Sequence, residues 1–254
     1  MGRLDGRVAI VTGGGKGIGQ AYATAFAREG ARVAVAEIAD SSETVEQIRA
    51  AGGEAIGLHT DVSNPDSANE MAAKTLEAFG RIDVLMNNAA IYSGLVFTYW
   101  EDLDLDEWDR VMAVNVKGMF LTCRAVAPAM QEQKYGKIIN ISSGTALVGV
   151  AGVLHYIASK GAVIAMTRGL ARELGDFNIC VNTITPGFTM TQASKDMMAA
   201  SELEGLGEMV VSMQTLKRPE EATDLVGAAL FLASSDSDFM TGQIVNVDGG
   251  VFFN

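Results

Sequence analysis

Two side chains with complementary proton chemistry, Tyr156 and Lys160, lie four residues apart in the sequence. Because residues four apart on an α-helix share one face, the phenol and the ammonium group are expected to lie side by side. A phenol has an ordinary pKa of about 10, and a neighbouring positive charge lowers that value. Such a tyrosine can exchange a proton at neutral pH, as the interconversion of alcohols and carbonyls requires. The pair alone is weak evidence, because surface helices also carry Tyr/Lys pairs worth about 0.2–0.5 kcal/mol.

The elements that must position this pair alternate along the chain. Short apolar runs with β-branched residues predict buried strands at 7–12, 32–37, 54–60, 82–87, 138–142, 179–185 and 244–247. Helical patterns fill the gaps, notably at 18–27, 108–131, 156–174 and 219–233, with further helices starting at Asp40 and Asn64. This alternation predicts an α/β fold, a doubly wound sheet of seven mostly parallel strands with helices on both faces. We expect a single domain over residues 1–254, interrupted only by a long segment at about 188–214.

A glycine-rich turn, Thr12–Gly19, joins the first strand to the first helix. Glycines permit the tight turn and let the backbone approach a pyrophosphate, whose charge is stabilised at a helix N-terminus. Because a strand precedes the turn and a helix follows it, the context matches a dinucleotide-binding fingerprint. The candidate cofactor-binding residues in this turn are Gly13, Gly15, Lys16, Gly17, Ile18 and Gly19.

Acidic and small residues at the ends of later strands extend the predicted cofactor site. Glu37 ends the second strand, where a carboxylate can bind the adenosine ribose hydroxyls and repel a 2′-phosphate, which favours NAD over NADP. Lys16 is expected to soften this preference. Asp61 follows the third strand, where an aspartate can bind the adenine amino group. The remaining candidates at these strand ends are Val62, Asn88, Ala89 and Ala90, although Asn88 is also a common turn residue.

Taken together, these residues resemble the short-chain dehydrogenase/reductase family across the whole chain, which implies a Rossmann-type fold and an oxidoreductase activity. The resemblance rests on the motif residues Thr12, Gly13, Gly17, Ile18, Gly19, Asp61, Asn87, Asn88, Ala89, Asn115, Ser143, Tyr156, Lys160, Pro186 and Gly187. One departure is Ala90, where the family usually has glycine.

The resemblance also implies roles for these residues. Tyr156 would be the general acid/base, Lys160 would lower its pKa and bind the nicotinamide ribose, and Ser143 would hold the substrate oxygen. Asn115 would help to hold a water molecule that connects the lysine to solvent. Near the nicotinamide, the family would place Pro186, Gly187, Thr189 and Thr191.

The segment at 188–214 is expected to act as a lid over the substrate, because the family closes this region over the active site. It is rich in methionine and contains no arginine, which favours a hydrophobic or aromatic substrate over an anionic one. Packing of the methionines against the body of the protein is an equally good explanation. The predicted substrate-binding residues are Ser143, Tyr156, Leu147, Met190 and Met197.

Composition limits the partners and the setting. The net charge of −12 argues against nucleic acid and anionic membranes, and no stretch resembles a transmembrane segment or a signal peptide. The two cysteines favour a reduced, cytoplasmic setting, and the absence of a His/Cys cluster argues against a catalytic metal. We expect His155 to pack rather than to act as a base. The family resemblance and the apolar C-terminal tail, Val251–Asn254, favour a homotetramer, with a dimer as the alternative.

These observations predict an NAD(H)-dependent oxidoreductase that interconverts a secondary alcohol and its ketone. Two alternatives remain open at this stage. One is an NADPH-dependent reductase of the 3-oxoacyl-carrier-protein type. The other, which the intact Ser143, Tyr156 and Lys160 disfavour, is a catalytically silent nucleotide-binding scaffold.

Overall fold

Within the described residues, 2–92, 94–195 and 200–253, the computed structural model shows seven strands in one sheet. The strands are β1 (Val8–Thr12), β2 (Arg32–Glu37), β3 (Ala55–His59), β4 (Val84–Asn87), β5 (Gly136–Ile141), β6 (Ile179–Pro186) and β7 (Ile244–Val247). Their order is β3-β2-β1-β4-β5-β6-β7, and every pairing between neighbours is parallel. The strand order reverses direction between β1 and β4, which is the point where doubly wound sheets bind ligands.

Helices connect these strands and lie on both faces of the sheet. They are α1 (Gly17–Arg28), α2 (Ser42–Ala50), α3 (Pro65–Phe79), α4 (Leu105–Met112), α5 (Met119–Gln133), α6 (Thr145–Val148), α7 (Leu154–Leu174), α8 (Gln192–Lys195), α9 (Ala200–Met213) and α10 (Val226–Ala233). Short 3₁₀ turns occur at Trp100–Asp102, Gly175–Phe177, Ala222–Leu225 and Ser235–Ser237. The predicted α/β doubly wound fold is therefore confirmed.

Alternation within β1 explains how the sheet carries a core on each face. Ala9 and Val11 pack into a cluster with residues of α1 and α10, whereas Val8 and Ile10 pack into a second cluster with residues of α3, α5 and α7. All four side chains are fully buried. A strand that is apolar at consecutive positions is expected when helices cover both faces of a parallel sheet. The core thus holds the carboxyl ends of β1, β4, β5 and β6 rigidly at one edge.

Two predictions about helix starts had different outcomes. Asn64 accepts hydrogen bonds from the backbone N–H groups of Asp66 and Ser67, with Pro65 in the first helical turn, as predicted. The predicted start of α2 at Asp40 was wrong. The helix begins at Ser42 without a side-chain cap, because the Asp40 carboxylate instead accepts from the backbone N–H and hydroxyl of Ser42.

The predicted continuous helix at 108–131 was also wrong in one respect. Between α4 and α5 the chain forms a π-helical turn, Ala113–Gly118. The change of pitch rotates the side chains that follow relative to those before it, and such turns are frequent at functional sites. The candidate residue Asn115 lies inside this turn. Among the described residues, no helix is both long and apolar enough to cross a membrane.

Candidate active site

A cavity of about 660 Å³ lies at the carboxyl ends of the strands, above the point where the strand order reverses. It brings together residues from many separate parts of the chain. Most of the predicted site residues line it, namely Gly13, Lys16, Gly17, Ile18, Gly19, Glu37, Asp61, Val62, Asn88, Ala89, Ala90, Ser143, Tyr156, Lys160, Pro186, Gly187, Thr189 and Thr191.

The proton-transfer candidates meet where β5 ends beside α7. Ser143, which lies just after β5, lines the cavity beside Tyr156 and is close enough to oppose the rise in its pKa. Lys160 lies one helical turn further, with its Nζ atom 5.5 Å from the centre of the Tyr156 ring and donating to the backbone oxygen of Ile141 at 2.9 Å. The neighbouring Ser142 points elsewhere, because its hydroxyl donates to the backbone oxygen of Lys160 at 2.7 Å. The geometry therefore distinguishes the two serines, which spacing alone did not.

Burial dominates the protonation of this pair. Tyr156, Lys160 and the neighbouring Ser143 are all less than 9% exposed. Burial raises the pKa of Tyr156 far above its ordinary value, nearby Tyr92 adds to the rise, and nearby Ser143 opposes it. Burial also lowers the pKa of Lys160 to about 8. The predicted lowering of the Tyr156 pKa is not found, because desolvation favours the neutral form of both groups.

Asn115 is buried and acts as a bridge between three elements. Its Oδ1 atom accepts from the backbone N–H of Ile91 at 2.7 Å, and its Nδ2 atom donates to the backbone oxygen of Ile91 and to the hydroxyl of Ser159. Ser159 in turn donates to the backbone oxygen of Tyr156. Asn115 thus joins the π-helical turn to the loop after β4 and to α7. It does not line the cavity itself.

The glycine-rich turn is packed too closely for side chains. A Cβ atom on Gly19 would lie 2.0 Å from the backbone oxygen of Gly13, and one on Gly13 would lie 2.9 Å from the Cα atom of Ala89. Asn88 closes this arrangement, because its Nδ2 atom donates to the backbone oxygens of Thr12 and Gly13. The turn is therefore a preformed cradle of backbone groups at the N-terminus of α1, as a pyrophosphate requires.

The Glu37 carboxylate is held in place at the far end of the cavity. It accepts from the backbone N–H of Gly15 through Oε2, and from those of Ile38 and Ala39 through Oε1. Gly15 therefore contributes by orienting Glu37 rather than by lining the cavity. Asp61 lies nearby on the cavity wall, where it accepts from the backbone N–H and hydroxyl of Ser63.

The wall around the candidate catalytic residues is mostly apolar. The residues that form it differ in part from the predicted substrate-binding residues. Leu147 does not line the cavity, and Met190 lines a smaller neighbouring cavity of about 360 Å³. Met197 lies outside the described residues. Apolar residues outside the predicted substrate-binding set also line this wall, namely Ile91, Val114, Val148, Val150, Phe188, Met213, Val251 and Phe252.

Three further side chains at this wall were not among the predicted substrate-binding residues. Tyr92 lies against the ring of Tyr156, with ring centres 5.4 Å apart. Arg110, from α4, brings a cation to the cavity that the lid sequence lacks. Phe252, near the C-terminus, folds back into the cavity, because its backbone N–H donates to the Asp248 carboxylate. The two aromatic side chains of the C-terminal tail therefore differ, because Phe252 lines the cavity whereas Phe253 is 83% exposed.

The two histidines lie away from the candidate chemistry. His155 is fully buried beside α4, with its Nε2 atom 3.9 Å from Glu107, and its pKa is lowered mainly by burial. It does not line the cavity. His59 is exposed at the end of β3. In the part of the chain that the structure describes, His, Cys, Asp and Glu form no group of three that could hold a metal ion.

The segment after β6 is held by one buried carboxylate. Glu220 accepts from the backbone N–H of Gly187 at 3.1 Å and from the hydroxyl of Thr189 at 2.6 Å. Thr191 lies over the glycine-rich turn, with its Cβ atom 3.8 Å from the position of a Cβ atom on Gly17. The segment therefore closes the cavity opposite the glycine-rich turn.

Comparison with known proteins agrees with this geometry. Residues 13–252 match a sequence family described as enoyl-(acyl carrier protein) reductase. The chain belongs to the short-chain dehydrogenase/reductase family, and it is an oxidoreductase of that family. Enzymes of this family act on small molecules with a nicotinamide cofactor.

Individual relatives differ in what they act on. The chain is 35% identical over 251 residues to a 3-oxoacyl-(acyl-carrier-protein) reductase of Thermotoga maritima, covering 98% of this chain and 99% of the relative. It is 36% identical over 250 residues to the BbsD subunit of a (2S)-((R)-hydroxy(phenyl)methyl)succinyl-CoA dehydrogenase of Thauera aromatica, covering 97% of each.

One solved structure of similar fold has a cofactor bound. It comes from Beutenbergia cavernae, is proposed to be an NAD(P)-dependent gluconate 5-dehydrogenase, and holds NADP at low occupancy. Its TM-score is 0.89 at 34% identity, covering 98% of this chain and 97% of that one.

Proposed function

We propose that this oxidoreductase uses NAD(H) to interconvert a secondary alcohol and its ketone, with hydrophobic or aromatic groups on the substrate. The observation that carries the proposal is the placement of the Tyr156 and Ser143 side chains together on the wall of the largely apolar cavity. Two hydroxyls that converge there can share one substrate oxygen. An alcohol or carbonyl oxygen is the substrate group that matches this arrangement.

The protein side chains then divide the work. Ser143 holds the substrate oxygen, and Tyr156 accepts its proton during oxidation or returns it during reduction. Lys160 binds the nicotinamide ribose, and Asn115 supports α7 from behind through Ser159. When bound, the nicotinamide supplies the hydride donor or acceptor, which the side chains cannot provide. The neutral form of Tyr156, favoured by burial, is the form that donates a proton to a ketone.

The cofactor preference rests on Glu37. Its carboxylate is fixed by three backbone N–H groups and lines the cavity opposite the candidate catalytic residues. A carboxylate fixed there accepts hydrogen bonds from two ribose hydroxyls and repels a 2′-phosphate. Lys16 opposes this effect, and the NADP in the Beutenbergia cavernae structure shows that a related fold admits the phosphorylated cofactor.

The substrate class rests on the wall around Tyr156. Tyr92, Val148, Phe188 and Phe252 present aromatic and aliphatic surface to the cavity. The Thauera aromatica relative acts on a hydroxy(phenyl)methyl group, that is, a secondary alcohol beside a phenyl ring. We therefore expect turnover to increase as the substituents on the carbinol carbon become larger and more apolar.

A second candidate is an NADPH-dependent reductase of 3-oxoacyl thioesters. The Thermotoga maritima relative carries that name, and Arg110 supplies a cation that an anionic carrier group could use. Glu37 argues against it. The two candidates differ in both cofactor and substrate, so one set of assays distinguishes them.

The first experiment measures kcat/KM with NAD and NADP against secondary alcohols from short aliphatic to aryl, and with a 3-oxoacyl thioester in the reverse direction. We expect NAD to be preferred and Tyr156→Phe to lose at least about a thousandfold in kcat while still binding NADH. Glu37→Ser should shift the NADP/NAD ratio of kcat/KM upward by roughly tenfold or more. Glu43→Gln, on exposed α2, is the matched control and should leave the ratio unchanged.

Preference for NADPH with the thioester in the unaltered protein would replace the first candidate with the second. An unchanged NADP/NAD ratio of kcat/KM in Glu37→Ser would show that Glu37 does not set the cofactor preference. Equal turnover of methyl and phenyl carbinols would contradict the apolar pocket.

We also propose that the chain is one catalytic domain with a lid at 188–214, and that it assembles as a homotetramer. The lid is supported by α8 and α9, which follow the cavity-lining segment after β6. Assembly is supported by aromatic side chains left in contact with solvent, above all Phe239, which is fully exposed, and Phe253.

A further inference from the structure

Glu220 is a buried carboxyl group without a cation. Its side chain is 4% exposed, and within the described residues it forms no ion pair. The nearest basic side chain along the chain, Arg218, is instead paired in bidentate fashion with Asp224. Burying a carboxyl group costs free energy unless hydrogen bonds to the protein replace those to water. The hydrogen-bond partners of Glu220 therefore indicate what it does.

All of its described hydrogen bonds are to one short segment, the strand continuation Gly187–Met190. One carboxyl oxygen accepts from the backbone N–H of Gly187, and the other pairs with the hydroxyl of Thr189. The backbone oxygen of Glu220 accepts from the N–H of Met190 at 3.0 Å, which completes a parallel bridge between Thr189 and Glu220. Glu220 therefore holds this segment as an added strand would.

The contacts continue from this segment to the catalytic tyrosine. The backbone oxygen of Thr189 accepts from the hydroxyl of Ser194 at the start of the lid. Ser194 is close enough to Tyr92 to oppose the rise that burial causes in the pKa of the Tyr92 phenol, and the Tyr92 ring lies against that of Tyr156. At the other end, a Cβ atom on Gly187 would lie 2.6 Å from the Glu220 carboxylate and 3.0 Å from the backbone of Asp248. The segment thus has little freedom to move while Glu220 is present.

We propose that Glu220 is a positioning residue that fixes the Gly187–Thr189 wall of the active-site cavity and the attachment of the lid. This inference rests on the proposed function for the statement that the wall faces the nicotinamide. Glu220 acts through the segment and does not contact the reacting atoms. Its hydrogen bonds, rather than its charge, carry the effect.

The distinction between hydrogen bonding and charge follows from the surroundings. Burial raises the pKa of Glu220 to about 7, and Asp224 and Asp248 add to the rise. Tyr22 of α1 is close enough for the Glu220 charge to raise its pKa, and its buried hydroxyl has no hydrogen-bond partner among the described residues. A neutral carboxyl group can still accept from Gly187 and donate to Thr189, so both forms can hold the segment. A glutamine can make the same pair of contacts.

The test compares Glu220→Leu, which removes both contacts, with Glu220→Gln, which retains them. Glu221→Gln, at the exposed neighbouring position, is the matched control. Amide hydrogen exchange of the peptide covering residues 187–192 should be roughly tenfold faster or more in Glu220→Leu, because two hydrogen bonds are lost. Exchange should remain unchanged in Glu220→Gln and Glu221→Gln. This readout needs no turnover, so it stands even if the proposed substrate or cofactor is wrong.

The enzymatic arm measures NADH binding by fluorescence and the KM and kcat values of the best substrate. Glu220→Leu should weaken NADH binding and lower kcat/KM by roughly 10- to 100-fold, with Glu220→Gln within about threefold of the unaltered protein. If Glu220→Leu does not fold, Thr189→Val and Thr189→Ser repeat the comparison with one hydrogen bond. Unchanged exchange in Glu220→Leu and Thr189→Val, or a Glu220→Gln variant as impaired as Glu220→Leu, would overturn the proposal.

Discussion

At the scale of single residues, the candidate catalytic pair is defined by burial. Tyr156 and Lys160 are both nearly inaccessible to water, and desolvation moves each pKa toward the neutral form. A charged lysine is therefore an unfavourable feature of the folded protein at neutral pH. Retaining it is consistent with a role in chemistry rather than in stability, because active sites commonly hold groups that cost stability.

The cost of burying a charged Lys160 predicts how Lys160→Met changes the free energy of unfolding, measured on the protein without added cofactor. The folded-state pKa of about 8 lies below the ordinary value of 10.5, so folding at pH 7 must keep a proton on a buried amine. Removing the amine should raise the free energy of unfolding at pH 7 by about 1–3 kcal/mol, after allowing for the lost hydrogen bond to Ile141. Activity should be lost. Urea denaturation at pH 7 and pH 10 measures the effect.

The sign of the pH dependence provides the check. In the unaltered protein, the contribution of Lys160 should become more favourable as the pH rises from about 8 toward 10.5, because the unfolded chain then binds more protons than the folded one. The advantage of Lys160→Met should therefore shrink at pH 10. Lys74→Met, on the exposed face of α3, should show neither effect. A Lys160→Met protein less stable than the unaltered one at pH 7 would contradict this account.

At the scale of elements, the π-helical turn between α4 and α5 connects the fold to the site. It presents Asn115 inward, where the side chain satisfies both backbone groups of Ile91 and reaches Ser159 on α7. A regular helix would rotate Asn115 away from at least one of these partners. The loop after β4 therefore has its position determined by a helix that is distant in sequence.

Asn115→Ala tests this connection. It leaves the Ile91 N–H and C=O groups without these partners, so the free energy of unfolding should fall by about 2–3 kcal/mol. Activity should fall as well, because the Ile91 loop and Ser159 both adjoin Tyr156. Asn69→Ala, at an exposed position within α3, is the matched control and should change stability by less than about 0.5 kcal/mol. Equal stability of Asn115→Ala and the unaltered protein would exclude the bridging role.

At the scale of the whole molecule, the residues that stabilise the fold and those that form the candidate site lie in different parts of the sheet. The clusters on its two faces bury the strands, while the cavity occupies only the edge at their carboxyl ends. The surface beyond the cavity carries fully exposed Phe239 next to the start of β7. In the proposed homotetramer, a second copy would cover this side chain.

The proposed homotetramer predicts a native mass of about 107 kDa, four times the chain mass of 26.8 kDa, in light scattering. Phe239→Ser should weaken the assembly and lower the mass toward a dimer or monomer, because it removes apolar surface from the contact. Phe239→Leu retains apolar surface and should stay assembled. A monomer mass for the unaltered protein at micromolar concentration would reject the proposal.

The sequence by itself determined the fold and most of the candidate site. Continuous apolar runs located the seven strands, because burial on both faces leaves runs that cannot be mistaken for loops, and period-3.6 patterns located the major helices. The glycine-rich turn, Glu37 and the Tyr156/Lys160 spacing are local signals, so the sequence alone predicts them. Met190 and Leu147 were misplaced, because spacing shows that a segment is near the site but not which side chain points inward.

Only the tertiary structure decided what depends on contacts between distant segments. It paired Ser143 with Tyr156 and turned Ser142 away, placed Phe252 in the cavity, and showed Glu220 holding Gly187 and Thr189. It also reversed the expected direction of the Tyr156 pKa, because desolvation depends on how completely neighbouring elements cover a group. Burial and long-range hydrogen bonding are properties of the folded chain, and no local pattern of residues specifies them.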